Sequence, residues 1–410
     1  MKPNRPFLRK RPFRPDIAFF IAPLCVLAVM TVTACFTGYW PLSGNPYNSY
    51  TLQACAWLQG RLDLGMDYSW LELAIHEGKY YVSFPPFPSF VMLPLALFFG
   101  TNASETLVCW IVVMLGVIQA VRIYRSVCGS NLSLYLYVLF LFLSTGFMFI
   151  AQTGWVWFMA QSFCFTLCLS AIAAALNGRG GWSLCFWACA VGCRPLVALF
   201  FPVLICLLRA RTPQRSWGRW LKEHWTWILP PLVIALIYMI LNYARFGNPL
   251  EFGHNYLPEF QKYGKQFSLS YVSDHLLTLL RFPAFNERGR MVPEYMDTYC
   301  FFIMNPLYIT FLASLANAVL HRDESAPVRH LRIWIPLLTV AHLLVTCMHR
   351  TLGAFQWGNR YLLDALPFLF VGILLFRPRS ERFDLFQLPL FILGFSLSLS
   401  GTLLAYMTTV

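Results

Sequence analysis

Charge is scarce in this chain. Of its 410 residues only 12% are Asp, Glu, Lys or Arg, and acids number 18. Soluble domains carry about a quarter charged residues, so this composition leaves no soluble domain of ordinary size. A glycine-rich phosphate loop, a zinc-ligand spacing and a nucleophile elbow are also missing. No internal repeat is visible, which argues against a transporter assembled from symmetric halves. What remains is 58% hydrophobic and 17% aromatic.

The apolar runs fall near 17–37, 86–100, 104–124, 131–151, 156–178, 183–208, 223–245, 301–321, 331–348, 362–376 and 388–410. A helix crosses a bilayer in about 20 apolar residues. The sequence therefore predicts an all-α polytopic membrane protein with about eleven transmembrane helices. It reads as one integral membrane domain over 1–410. The first span is 17–37, a first outer loop covers 38–103, and spans fill 104–245. A second large outer loop covers 246–300, and spans fill 301–410. The first run is long for the apolar core of a cleaved leader and is expected to stay as a helix. Val32-Thr33-Ala34-Cys35 has the look of a lipoprotein cleavage site, a less favoured reading.

The formal net charge is +13, but its distribution reads as topology and not as a nucleic-acid surface. Basic blocks lie before the first span (Lys2 to Arg14), at Arg209 to Lys222, and at Arg377 to Arg382. Basic short loops mark the cytoplasmic side. The N-terminus is then inside and the C-terminus outside. Two runs allow alternatives. The 86–100 run is short and proline-rich, so it either spans or dips along the outer face. The 183–208 run is one helix, or two turning at Arg194-Pro195. Dipping and turning are favoured, because they keep Arg122, Arg125 and Arg179 inside. Of the 13 cysteines, Cys185, Cys189 and Cys193 share a helix face and read as packing residues. Cys55 and Cys300 fall in outer loops, where a disulfide is conceivable.

The first outer loop concentrates ionisable groups: Asp63, Asp67, Glu72, Glu77, His76 and Lys79. Tyr47 to Gly60 has the spacing of a short interfacial helix, and Trp70 to Ile75 is a second helical candidate. An acid near lipid has a raised pKa and can act as general base. Glu72 is the first candidate and Asp67 the second. Arg194, Arg245, Arg350 and Arg360 fall at outer helix ends, where guanidinium forks suit a phosphate. Lys79 adds a point charge. The stretches NYARFGNPLEFGH, ending at His254, and QWGNRYLLDALP, containing Tyr361, suit polar and stacking contacts to a sugar. Asp364 lies four residues after Arg360, the spacing of a helical ion pair.

The order of a retained first helix, an acidic outer loop, GKYY…PPFP, an Arg-Pro break, NYARFGNPLEFG and GNRYLLDALPF resembles the GT-C superfamily of polyprenyl-phosphate-sugar-dependent glycosyltransferases. It is closest to the bacterial branch of protein O-mannosyltransferases and lipid A aminoarabinose transferases. The resemblance implies a catalytic acid in the first outer loop and arginines on the lipid phosphate. This chain departs from the pattern in two places. Asn45-Pro46-Tyr47 replaces the early acidic pair, which leaves Asn45 as a candidate substrate contact. Ser83-Phe84 replaces the Glu-Lys before Pro-Pro. Glu72, in Leu71-Glu72-Leu73-Ala74, is the acid that best matches related sequences.

The expected function is sugar transfer from a polyprenyl phosphate to an acceptor hydroxyl. The expected place is the outer face of a bacterial plasma membrane. Its partners are the lipid-linked sugar, membrane lipid and an acceptor of unspecified class, with no nucleic acid. No cofactor is expected, and a divalent metal ion stays open. The alternatives are a lipid-linked saccharide flippase or transporter, and a non-catalytic GT-C-like partner subunit. A transporter wants ionisable groups at the bilayer midplane, where His342 is nearly alone.

Overall fold

A computed structural model describes residues 17–211, 216–263, 265–282, 287, 300–321 and 326–407. The N-terminal basic block and Arg215 lie outside the described residues. Helix α1 (Ala18–Thr37) ends where Gly38 turns left-handed, at φ 77°, and returns its N–H to Ala34 O. The first loop then folds as α2 (Ser49–Leu58), strands β1 (Leu73–His76) and β2 (Lys79–Val82), and α3 (Phe87–Phe99). Helix α4 (Glu105–Cys128) starts at Ser104, whose Oγ accepts from Leu107 N. After α5 (Ser133–Leu143) and the single turn α6 (Phe147–Ile150) comes α7 (Val156–Leu176).

The 183–208 run is broken where the sequence expects it. Helix α8 (Gly180–Val191) and helix α9 (Phe201–Arg209) are separated by an extended Arg194 and a 3-10 turn at Pro195–Phe200. Proline removes one helical hydrogen bond, and the chain breaks there. Helices α10 (Trp217–His224) and α11 (Leu229–Phe246) follow. The second loop holds α12 (Pro258–Tyr263) and α13 (Val272–Leu280). The chain closes with α14 (Phe301–Met304), α15 (Leu307–Leu320), α16 (Ala326–Met348), a 3-10 turn at Arg360–Ala365, α17 (Leu366–Phe376) and α18 (Glu381–Met407).

Among the described residues six helical units are long and apolar enough to cross a bilayer: α1, α4, α7, α10 with α11, α16 and α18. The chain is a multi-pass membrane protein. Helix α7 is apolar all round, and 89% of its most apolar window is buried, against 17% for the α10–α11 unit. Helix α7 is therefore the centre of the bundle, while α11 presents most of its surface to lipid. Helix α3 has 13 residues and is about 20 Å long, short of the hydrocarbon thickness. It packs against α2 of the first loop.

Two expectations are corrected. Trp70 to Ile75 is not a helix: Leu73 to His76 pairs antiparallel with Lys79 to Val82. The two turn residues both have positive φ, Glu77 at 50° and Gly78 at 71°. That is the turn whose twist suits a two-residue hairpin. Cys55 and Cys300 are both free thiols. At the end of α17, Arg377 pairs with Asp384, and its guanidinium also donates to Tyr124 and Tyr137 hydroxyls. This ties the α17–α18 corner to α4 and α5.

The first loop is moored to the bundle by a buried carboxylate. Glu105 Oε1 accepts from Thr51 N at 2.7 Å and from Thr51 Oγ1 at 2.9 Å. Its Oε2 accepts from Asn45 Nδ2 at 2.9 Å, and Asn45 also donates to Gly154 O at 2.8 Å. Gly154 lies so close that an added Cβ would sit 2.4 Å from the Glu105 carbonyl carbon and the Thr106 nitrogen. Gly154→Ala should therefore cost about 1–3 kcal/mol of stability, read as a lower melting temperature in detergent. An unchanged melting temperature would show that this contact relaxes freely.

Candidate functional site

The Arg194-Pro195 break and the 3-10 turn at Arg360–Ala365 face each other. Arg194 Nε donates to Asp364 Oδ2 at 2.9 Å, an ion pair whose carboxylate side chain is 1% exposed. Gln161, on central helix α7, donates through Nε2 to Asp364 Oδ1 at 3.0 Å and also to Arg360 O. Asn359 Oδ1 caps the turn by accepting from Leu362 N, and Gln356 Oε1 accepts from Arg360 N. The turn is thus fixed by side chains before and beneath it. The expected Arg360–Asp364 pair is not formed: Asp364 is taken by Arg194.

Two cations stand over Tyr361. The guanidinium carbons of Arg194 and Arg360 each stand 4.8 Å from its ring centre, a cation–π contact on each. Arg360 is 6% exposed, and among the described residues its Nε and Nη1 have no hydrogen-bond partner. A buried guanidinium with unmet donors is costly. It is the arrangement expected of a group that waits for an anion.

Glu72 enters from the first loop. It sits immediately before β1, where Ser83 Oγ donates to its carbonyl at 3.0 Å. Trp157 Nε1, at the start of α7, donates to Glu72 Oε2 at 3.0 Å. The side chain is open to water, yet protein crowds the carboxyl. That burial pushes the carboxyl above its usual range, while the Trp157 hydrogen bond and the Arg360 charge pull it down and Glu259 pushes it up. The Arg360 charge acts on Glu72, but no hydrogen bond or ion pair joins the two.

The second loop supplies His254. Its ring packs against Phe260 at 5.0 Å, His349 at 5.7 Å and Phe84 at 6.4 Å. Burial, then His349 and Arg194, push its pKa down to about 3. His349 is lowered too, by burial first. Both imidazoles are neutral at pH 7. Among the described residues no group of three or more His, Cys, Asp or Glu could hold a metal ion.

No protein-family model matches the sequence, and no curated protein does. The three-dimensional arrangement does have solved neighbours. The crystal structure of ArnT from Cupriavidus metallidurans bound to undecaprenyl phosphate aligns with a TM-score of 0.51 at 16% identity. The alignment covers 88% of this chain and 60% of that one. The apo structure of the same protein aligns over the same shares at 15% identity and a TM-score of 0.49. Over the aligned part the fold is shared with that ArnT structure. It agrees with the resemblance carried by the sequence motifs, and this chain spans 60% of the length of the ArnT chain it matches.

Within this fold the candidate residues separate into two groups. Glu72, Arg194, Arg360, Tyr361 and His254 form one cluster, joined by ring contacts and by charge. The others are placed elsewhere or engaged locally. Arg245 is buried beneath the hairpin, donating to Asn242 Oδ1 at 2.7 Å and Val82 O at 3.3 Å. Lys79 is exposed at the hairpin tip, about four residues or 13 Å along the ladder from Glu72. Arg350 follows His349 and gives its backbone N–H to Gln266 O at 2.8 Å. Asn45 is occupied by Glu105 and Gly154. Asp67 is exposed, and among the described residues it has no hydrogen bond to that cluster.

The residues that sequence reasoning passed over are Trp157, Gln161 and Glu105. Gln161 is the polar residue of an otherwise apolar turn of α7, a signal that was available. Asp364 should be a strong structural dependency. Asp364→Ala leaves Arg194, only 18% exposed, without its carboxylate, a loss of about 3 kcal/mol. The double variant Arg194→Met with Asp364→Leu should recover much of it. Thermal melting of the three proteins decides, and equal melting of Asp364→Ala and wild type would remove the pair from the account.

Proposed function

We propose that this protein transfers a sugar from a polyprenyl phosphate to an acceptor hydroxyl on the extracytoplasmic face of a bacterial plasma membrane. The observation that carries the reading is Arg360: buried, short of hydrogen-bond partners, stacked on Tyr361 and in the field of Glu72 without touching it. The shared fold with an ArnT structure bound to undecaprenyl phosphate supports the lipid carrier. The acceptor oxygen attacks the anomeric carbon as its proton passes to Glu72. The bond from that carbon to the phosphate oxygen breaks, and its electron pair leaves with the lipid phosphate. Arg360, with Arg194 behind Tyr361, meets the charge that develops there. One direct displacement inverts the anomeric centre. In this reading the step uses no cofactor.

Glu72 must be ionised to accept the proton. Its folded pKa is raised, so activity is lost as pH falls through a value above the ordinary carboxylate range of about 4.3. Glu72→Gln should lower sugar release from a panel of polyprenyl-phosphate sugars by about 100-fold or more while lipid binding survives. Arg360→Lys keeps the charge but loses the fork, and should weaken binding of the lipid phosphate. Wild-type turnover in Glu72→Gln would discard the base, and unchanged affinity in a folded Arg360→Lys would leave Arg360 a structural residue.

The face is tested separately. In a cysteine-free background, a cysteine at 194 should label with an impermeant reagent from outside, and cysteines at 122 and 179 only after the membrane is opened. Outside labelling at 122 would show that the 86–100 segment spans and that the favoured arrangement is wrong.

A further inference from the structure

Glu72 is carried by a loop, and a general base must hold one oxygen towards its substrate. Helix α7 is the most deeply buried of the six spans, and Trp157 stands at its first turn. The segment around Trp157 is fastened to the start of the first loop. Val156 N donates to Tyr47 O at 3.2 Å, and Asn45 Nδ2 donates to Gly154 O at 2.8 Å. The Trp157 and Tyr47 rings stand 5.0 Å apart. From this fixed support the indole N–H reaches Glu72 Oε2 at 3.0 Å. Among the described residues Glu72 Oε1 has no hydrogen-bond partner.

We propose that Trp157 is a positioning residue for Glu72: its indole N–H holds Oε2 and leaves Oε1 free for the acceptor hydroxyl. This inference rests on the assignment of Glu72 as base. An indole N–H is a donor that does not accept or release a proton near neutral pH. It therefore favours the ionised carboxylate without competing for the transferred proton. A Lys or Arg at the same place would hold the carboxylate too, but as an ion pair that makes it a weaker base. The other charged groups acting on Glu72 are Arg360, from the 3-10 turn, and Glu259, from α12. Arg360 opposes the effect of burial as Trp157 does, and Glu259 adds to it. Neither forms a hydrogen bond with the carboxylate, so neither fixes its orientation.

The experiment is a pH titration of the Glu72 carboxyl in the purified full chain. Infrared difference spectra follow it, assigned by the band lost in Glu72→Gln. Trp157→Phe keeps a ring and removes the N–H, and its titration midpoint should rise by about one pH unit. Trp157→Gln restores an N–H donor and should bring the midpoint back towards wild type. The acid limb of kcat/KM for sugar release from polyprenyl-phosphate sugars should move with the midpoint. In wild-type protein labelled with 15N-indole, one indole resonance should titrate at the same midpoint and stop titrating in Glu72→Gln. This holds even where Trp157→Phe fails to fold. A midpoint that stays fixed in folded Trp157→Phe, or no indole resonance that responds to Glu72→Gln, would overturn the proposal. Full sugar release by Glu72→Gln, with the midpoint still moving in Trp157→Phe, would sink the base assignment and with it the catalytic meaning of the contact.

Discussion

The site depends on a buried ion pair between two interruptions of helix. Arg194 sits where proline breaks the 183–208 run, and Asp364 sits in the 3-10 turn that opens α17. A break in a helix frees backbone groups that must find other partners. Here each break supplies what the other lacks. Gln161 from α7 closes the arrangement by donating to Asp364 and to the Arg360 carbonyl. A buried ion pair gives little net stability. Its consequence here is geometric: it presents Tyr361 and fixes where Arg360 can reach.

The first loop is held by different means. Glu105, fully buried at the start of α4, accepts from Thr51 and Asn45 and so moors α2 and the loop entrance. Arg245 anchors the far strand of the hairpin through Val82 O. The hairpin packs Ala74 and Tyr81 against Phe246, which couples the first loop to the end of α11. Glu72 is therefore delivered between two moorings, and Trp157 meets it there.

Much of this was legible in the residues, and the failures have physical causes. The apolar runs announced the spans, and Arg194-Pro195 announced the break, because proline cannot continue a helix. Trp70 to Ile75 was read as helical because its apolar spacing fits that period as well as a strand. The turn signal was weak, since Glu77 is an unusual residue at positive φ. The Arg360–Asp364 pair assumed α-helical spacing. In a 3-10 helix each residue advances about 120°, so residues four apart diverge by about 120°. Asp364 is thereby turned towards Arg194. Glu105 was invisible because one acid at the start of an apolar run reads as a solvated helix end.

The departure at Asn45 looks different once the contacts are known. An acid at position 45 would face the buried carboxylate of Glu105, whose Oε2 now accepts from the Asn45 amide. Two carboxylates sharing that place would force one to stay protonated. Asparagine donates where an ionised acid could not, so position 45 is fitted to mooring the loop. Glu72 is built in the opposite way. Among the described residues it keeps one oxygen without a hydrogen-bond partner, and the Arg360 charge acts on it with no hydrogen bond or ion pair between them. Neither group neutralises the other by direct contact. In the reading proposed here that leaves the carboxylate for the acceptor proton and the guanidinium for the phosphate.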